Sequence, residues 1–273
     1  MRIGLFLSSE EFGPRELVDL AIRGEQAGFS GLWISDHYHP WIDEQGHSPF
    51  VWSTIGAIAQ ATDLPLGTGV TCPTIRMHPA IVAHAAATSA ILLEGRFTFG
   101  VGSGEALNEH VLGDRWPTAD ERLEMLEEAV DVMRKLWTGE VVDHHGRHYT
   151  VENARIYDTP DTPPPVLVSG FGPKAIRLAA RIGEGFVTTS PLPALRAAYA
   201  SLHRARTVRD KRIGELDFDG YCHVFANSGR HQDLAHARLG RCAAALPLGE
   251  DPRNRRCRRL GARARVRARR LRR

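Results

Sequence analysis

Apolar residues fall along this chain in short dense runs, separated by stretches with helical spacing. Arg2–Leu7 reads as a first strand. Pro14–Ala27 follows as a helix, with proline near its start, Leu17, Val18, Ala21 and Ile22 on one face, and Gly28 as its stop. The same alternation predicts strands at Gly31–Ile34, Pro65–Thr71, Phe97–Val101, Pro165–Ser169, Gly185–Thr189 and Leu216–Phe225. Helices are expected near Thr54–Ala61, Ala80–Leu92, Asp120–Trp137 and Lys174–Ile182, and from about Leu195. Strands alternating with helices at this spacing mean a parallel sheet with crossover helices, and seven of them favour a closing α/β barrel over an open sheet. One segment breaks the rhythm. Val141–Thr150 reads as a hairpin, and Asp158–Pro165, rich in proline, as irregular chain, so residues 141–164 form an insertion on a barrel domain spanning 1–226.

Length agrees, because 273 residues suit one barrel of about 250. No apolar run reaches the roughly 20 residues of a membrane helix. The N-terminal apolar stretch is too short for a signal segment. The four cysteines form no CxxC pair, so a reducing cytoplasm is the expected location. Charge divides the chain. Residues 227–273 hold 15 arginines and no lysine against Asp233, Glu250 and Asp251, a net +12, which leaves −9 on residues 1–226 of the whole-chain +3. This tail has neither helical nor strand period. It can be read as an anionic-surface arm, as a solvated end, or as an out-of-frame translation of a GC-rich gene. Its position, where the last barrel elements belong, favours the third, so nucleic acid is not an expected partner.

Two strands end in ionisable chemistry. Gly31–Ile34 runs into Ser35-Asp36-His37-Tyr38-His39-Pro40-Trp41, and Phe97–Val101 into Gly102-Ser103-Gly104-Glu105-Ala106-Leu107-Asn108-Glu109. Barrels of parallel strands build their active sites at these C-terminal ends. His37 suits proton transfer near neutral pH, with Asp36 fixing the loop or meeting a ligand and Trp41 offering a flat apolar face. A rival reading makes His37, His39 and His47 zinc ligands, although an H-x-H pair needs further partners. Glu105 and Glu109 are acid/base or hydrogen-bonding candidates, and Asn108 an amide partner. Glu10 ends the first strand on the same rim. Ser169-Gly170-Phe171-Gly172-Pro173-Lys174 repeats the glycine-loop theme, where backbone amides can approach an anion or a flat ring. Cys72 has no evident activator and reads as a semi-buried thiol.

These three motifs, in this order and spacing, resemble the deazaflavin-dependent oxidoreductases of the bacterial luciferase-like superfamily, in the branch related to the F420-dependent glucose-6-phosphate dehydrogenase. The likeness runs from Met1 to about Phe225. It implies a luciferase-like TIM (β/α)8 barrel, here incomplete at its C-terminal end, usually in a homodimer, with coenzyme F420 (8-hydroxy-5-deazaflavin) bound at the strand ends. It implies cofactor contacts from Asp36, Val70, Cys72, Ser103, Gly104, Asn108, Ser169, Gly170, Gly172 and Pro173, and a cis peptide between Gly69 and Val70. His37 would take a proton from a substrate hydroxyl, Glu105 would handle the proton at the cofactor ring, and Trp41 and Glu10 would shape the site. No resident metal is implied. Two departures matter: Leu192 stands where the branch has a phosphate-binding lysine, and the branch's remaining basic substrate ligands would fall in the part replaced by the arginine-rich tail. A small alcohol, hemiacetal or activated alkene is therefore expected rather than glucose 6-phosphate. The alternatives are a monooxygenase using FMN, and a cofactor-binding protein without turnover.

Overall fold

A computed structural model describes residues 4–188 and 198–202. All of these lie in the first of two compact units, Met1–Asn227. The expected strand at Leu216–Phe225, Leu192 and the arginine-rich tail fall outside the described residues.

Six parallel strands form one sheet: β1 (Leu5–Leu7), β2 (Leu32–Ile34), β3 (Leu66–Thr68), β4 (Phe97–Val101), β7 (Val166–Ser169) and β8 (Gly185–Val187), side by side in that order. Helices α1 (Pro14–Gln26), α2 (Val51–Ala61), α3 (Pro79–Leu92), α5 (Ala119–Leu136) and α6 (Pro173–Ile182) make or accompany the crossovers. Sequential strand order with helical crossovers is the pattern of a (β/α)8 barrel. Between α5 and β7 stands the expected hairpin, β5 (Val142–His145) against β6 (Thr150–Ala154). It leaves β4 paired directly with β7, Phe99 opposite Val166 and Val101 opposite Val168.

Local chemistry explains these boundaries. Gly13 N donates to Glu16 Oε2 at 3.0 Å ahead of Pro14, so α1 opens with an orphan donor satisfied and a proline that lacks one. In α5, Thr118 Oγ1 accepts from Glu121 N, and Arg134 and Lys135 complement the carbonyl end. Leu17, Val18 and Ala21 of α1 and Leu126, Val130 and Met133 of α5 are buried, as their helical spacing requires. Gly24 has a packing reason as well, since a Cβ there would lie 2.8 Å from Leu5 Cδ2.

On β4, Phe97 and Phe99 join Trp52 of α2 and Trp137 beyond α5 in one aromatic cluster, with ring centroids 5.9 to 6.2 Å apart. Gly100, next after Phe99, bonds through its N and O to Thr68 Oγ1 on β3. The Trp33 ring of β2 covers Gly67, where a Cβ would sit 2.9 Å from Cζ3, and Phe6 covers Gly69 at the same distance. Bulky residues on two strands thus fill the space that glycines leave on a third.

Candidate active site

Glu10 and His37 each stand three residues beyond a strand end, and those ends, Leu7 and Ile34, are register partners. Their side chains meet. His37 Nδ1 lies 2.6 Å from Glu10 Oε1. The other carboxylate oxygen accepts from Ser8 Oγ and Ser35 Oγ, both at 2.8 Å. Glu10 is buried, and burial alone would raise its pKa. The hydrogen bond and charge of His37 outweigh this, so the carboxyl titrates below its ordinary value. For His37 burial disfavours charge, yet the Glu10 bond and charge win and its pKa is raised. With Nδ1 committed to Glu10, Nε2 is the ring atom left for a substrate. Trp41 packs edge-on against His37, centroids 5.0 Å apart at 85°, and remains 54% exposed, so its indole forms an open wall.

The second motif begins where β4 ends and turns at Gly104 (φ 81°) into a four-residue helix, α4 (Ala106–Glu109), which was not expected from sequence. Asn108 clasps the two loops together: its Oδ1 accepts from Tyr38 N at 2.8 Å and His39 N at 3.0 Å. Its Nδ2 is buried without a hydrogen-bond partner among the described residues. Glu105 stands on the rim, largely open to solvent as a residue, and partial desolvation of its carboxyl, offset in part by His37, raises its pKa.

Glu109, singled out with Glu105 as an acid/base candidate, is fully buried and committed elsewhere. Its Oε2 accepts from Arg76 N at 2.9 Å, and its Oε1 lies 3.5 Å from Arg76 Nε. Arg76 also donates from Nη2 to Asp36 Oδ1 at 2.9 Å, while Asp36 Oδ2 accepts from Thr71 Oγ1 at 2.8 Å. Asp36 is 2% exposed, so its carboxylate is held by the protein on both oxygens. Sequence reasoning missed Arg76, because a lone arginine in a loop looks like a solvated surface residue. Cys72 is a free thiol. Burial and the nearby carboxylates of Glu109 and Asp36 push its pKa well up, which suits packing and not nucleophilic attack.

The peptide between Gly69 and Val70 is cis. Beside it, a Cβ on Gly102 would lie 2.8 Å from Val70 Cγ2, and Ser169 Cβ and Cys72 Sγ follow at 3.9 and 4.0 Å. Val70, Cys72, Gly102 and Ser169 are therefore brought together. Ser103 and Gly104 continue from Gly102, and Gly170, Gly172 and Pro173 lead from Ser169 into α6. A Cβ on Gly172 would meet nothing within 4 Å. A glycine-lined surface and an orphaned buried amide donor at Asn108 fit a flat, hydrogen-bonding ring system. No group of three His, Cys, Asp or Glu able to hold a metal ion occurs among the described residues. A cavity of about 540 Å3 lies elsewhere, on the outer face of α5 by Glu124, Glu128, Arg147 and His148. Its acids are already taken up, Glu124 by Arg147, Glu127 by Arg181, Glu128 by His144 and the hairpin amides, and Asp131 by Lys135.

The comparisons with known proteins agree with this architecture. A protein of Nakamurella multipartita named F420-dependent glucose-6-phosphate dehydrogenase is 40% identical over 258 residues, covering 90% of this chain and 74% of the relative. One of the same name from Microbacterium testaceum is 44% identical over 191 residues, 70% of this chain and 57% of the relative. The chain thus spans about three-fifths of the length of several such relatives. Among solved structures, an F420-dependent secondary alcohol dehydrogenase in complex with an F420-acetone adduct superposes with a TM-score of 0.72 at 36% identity, over 75% of this chain and 64% of that one. An F420-dependent tetrahydromethanopterin reductase from Methanopyrus kandleri, at 22% identity and a TM-score of 0.64, shares the fold over 76% of this chain and 62% of that one. The family model described as luciferase-like monooxygenase matches residues 1–272, and with strand-end chemistry, barrel topology and relatives in agreement, the chain belongs to that family.

Proposed function

We propose that this protein is a deazaflavin (coenzyme F420)-dependent oxidoreductase acting on a small organic substrate, an alcohol or hemiacetal in one direction and the matching carbonyl in the other. The observation that carries this reading is the His37–Glu10 pair, an oriented imidazole held 2.6 Å from a buried carboxylate at the strand ends. The F420 in the names of the relatives and of the similar alcohol dehydrogenase supports the choice of cofactor.

When bound, the deazaflavin supplies a two-electron acceptor and donor of hydride. The chain has to align it and move one proton. Val70, Cys72, Ser103, Gly104, Ser169, Gly170, Gly172 and Pro173 would line the ring and its substituents, and Asn108 Nδ2 would donate to it. Asp36 would hold the loop beneath. His37 Nε2 takes the hydroxyl proton as the carbon–oxygen bond of the substrate becomes double, and Glu10 stabilises the imidazolium formed. Trp41 excludes water from one side of His37. Glu105, at the rim and with its pKa raised by desolvation, would be the group to exchange a proton with the cofactor ring.

Glucose 6-phosphate, named for the relatives, is not our choice of substrate, because the family resemblance aligns Leu192 with a phosphate-binding lysine of that branch. Two copies of the chain would associate through α2 and α3. Their 25 residues include no Asp, Glu, Lys or Arg, and Ile81 and Ile91 stand exposed on α3. A dimer that persists in an Ile81→Glu variant by light scattering would reject this surface.

Fluorescence titration with the deazaflavin and, in parallel, with FMN tests the central reading. Selective deazaflavin binding is the expected result. Preference for FMN would move the assignment to a flavin-dependent monooxygenase, and binding of neither by folded protein would overturn it.

A further inference from the structure

Arg76 belongs to no strand or helix, yet its side chain is buried between two carboxylates that arrive from different loops. Asp36 precedes His37 on the loop after β2. Glu109 follows Asn108 in α4, after β4. Arg76 itself lies on the third loop, between β3 and α3. It touches Asp36 with Nη2 and Glu109 with both its backbone N–H and Nε. The two hydrogen bonds are 2.9 Å long, while the Nε contact, at 3.5 Å, is an ion contact beyond hydrogen-bond length. The loop is buttressed from behind. Tyr149 Oη, from the hairpin, donates to Thr74 O at 2.9 Å, and Tyr149 packs edge-on against His78 at the start of α3.

A buried cation with two buried carboxylates is poor evidence of stabilisation, since desolvation of three charges opposes their attraction. What such a trio does supply is a fixed distance. A planar guanidinium presents donors in a rigid fork, which an ammonium cannot reproduce. Resting on the reading of this mouth as a deazaflavin site, we propose that Arg76 is a positioning residue: by clasping Asp36 and Glu109 it fixes the loop that carries His37, and with it both the His37–Glu10 contact and the spacing from His37 to the Asn108 amide. Arg76 touches neither His37 nor Asn108 through any of these contacts. It acts through the neighbour of each.

Two variants test this, Arg76→Lys and the double variant Arg76→Met/Glu109→Gln. Both leave the net charge of the trio at its original value, and both leave Glu10, Glu105 and Asp36, the charged groups that act on His37, unchanged. A shift in the titration of His37 therefore reports geometry. The first readout is the NMR titration of the His37 ring in the protein without cofactor. The midpoint is expected to move back toward the ordinary histidine value as the pair loosens, in variants that remain folded by circular dichroism. A wild-type midpoint in either folded variant overturns the proposal. The second readout is deazaflavin binding and turnover. Affinity should weaken about tenfold, and kcat should fall by a larger factor than KM rises. If the wild-type chain does not bind the deazaflavin, the functional reading fails, while the titration still decides the role of Arg76. Should Arg76→Lys not fold, the double variant, which removes the cation together with one carboxylate, carries the titration.

Discussion

His37 Nδ1 and Glu10 Oε1 stand 2.6 Å apart although 27 positions of sequence, a helix and a strand crossing separate them. The parallel pairing of Leu7 with Ile34 brings equal offsets on adjacent strands to the same height. The pair is a product of register as much as of residue type.

Its pH dependence follows. His37 titrates above 6.5 and Glu10 below 4.5, their ordinary values. The raised histidine contributes stability that is complete below pH 6.5 and is lost as pH rises through its folded pKa. The depressed carboxyl contributes stability present above pH 4.5 and lost as pH falls through its folded pKa. Both contributions coexist between those two pH values. Glu10→Gln should remove the window and, if neutral His37 is the base as proposed, shift the acidic limb of the kcat/KM profile for alcohol oxidation to lower pH. An unchanged limb would separate Glu10 from the base.

His37→Ala should reduce kcat by a factor of about 100 or more, the usual range for a general base, while deazaflavin affinity stays within a few-fold of wild type. Fluorescence titration and steady-state rates on the same sample decide this. Parallel loss of binding would make His37 a structural residue.

Asn108 performs two tasks that substitutions can divide. Asn108→Asp keeps an acceptor for Tyr38 N and His39 N but replaces the unpaired Nδ2 donor. It should weaken deazaflavin binding, with a lowered melting temperature from the carboxylate buried beside Glu109. Asn108→Ala deserts both loop amides and should cost about 1–3 kcal/mol of stability, read by chemical denaturation.

Glu128 latches the hairpin to α5. Its carboxylate accepts from His148 N and Tyr149 N and meets His144 Nε2 at 3.1 Å. Burial opposes its charge, but His144 and the two amides hold its pKa below the ordinary value. The latch therefore holds at neutral pH and is lost as pH falls through that lowered value. Glu128→Ala should accelerate amide exchange at His148 and Tyr149 by about tenfold, roughly the worth of one net hydrogen bond. Exchange at wild-type rates in that variant would show that other contacts hold the hairpin.

Gly100→Ala should prevent folding. A Cβ there would lie 2.0 Å from Thr68 O, a backbone atom of the adjacent strand that cannot move without breaking the β3–β4 pairing. Soluble, folded protein from that variant would mean that the strands can separate more than their register suggests.

Much of this was legible in the sequence because parallel strands buried on both faces read as apolar runs, and polar residues that follow them have one place to go. The runs ending at Leu7, Ile34 and Val101 gave the rim, and Val141–Thr150 the hairpin. Helix α4 escaped notice because four residues carry no period. Arg76 and the burial of Glu109 escaped notice because a buried ion pair between loops leaves no local pattern. Each residue alone looks like surface, and only the fold makes them neighbours. Asn108 was legible as an amide partner, but its use of both Tyr38 N and His39 N as donors was not.

Glu10, His37, Arg76 and Asn108 all fall within the first 110 residues, on the loops after four adjacent strands. On the proposed mechanism, proton handling and its bracing would form a self-contained block of the chain. The remaining strand ends of such a barrel could then diverge toward new substrates without renegotiating that chemistry, a division of labour in which one inherited half serves many different pockets.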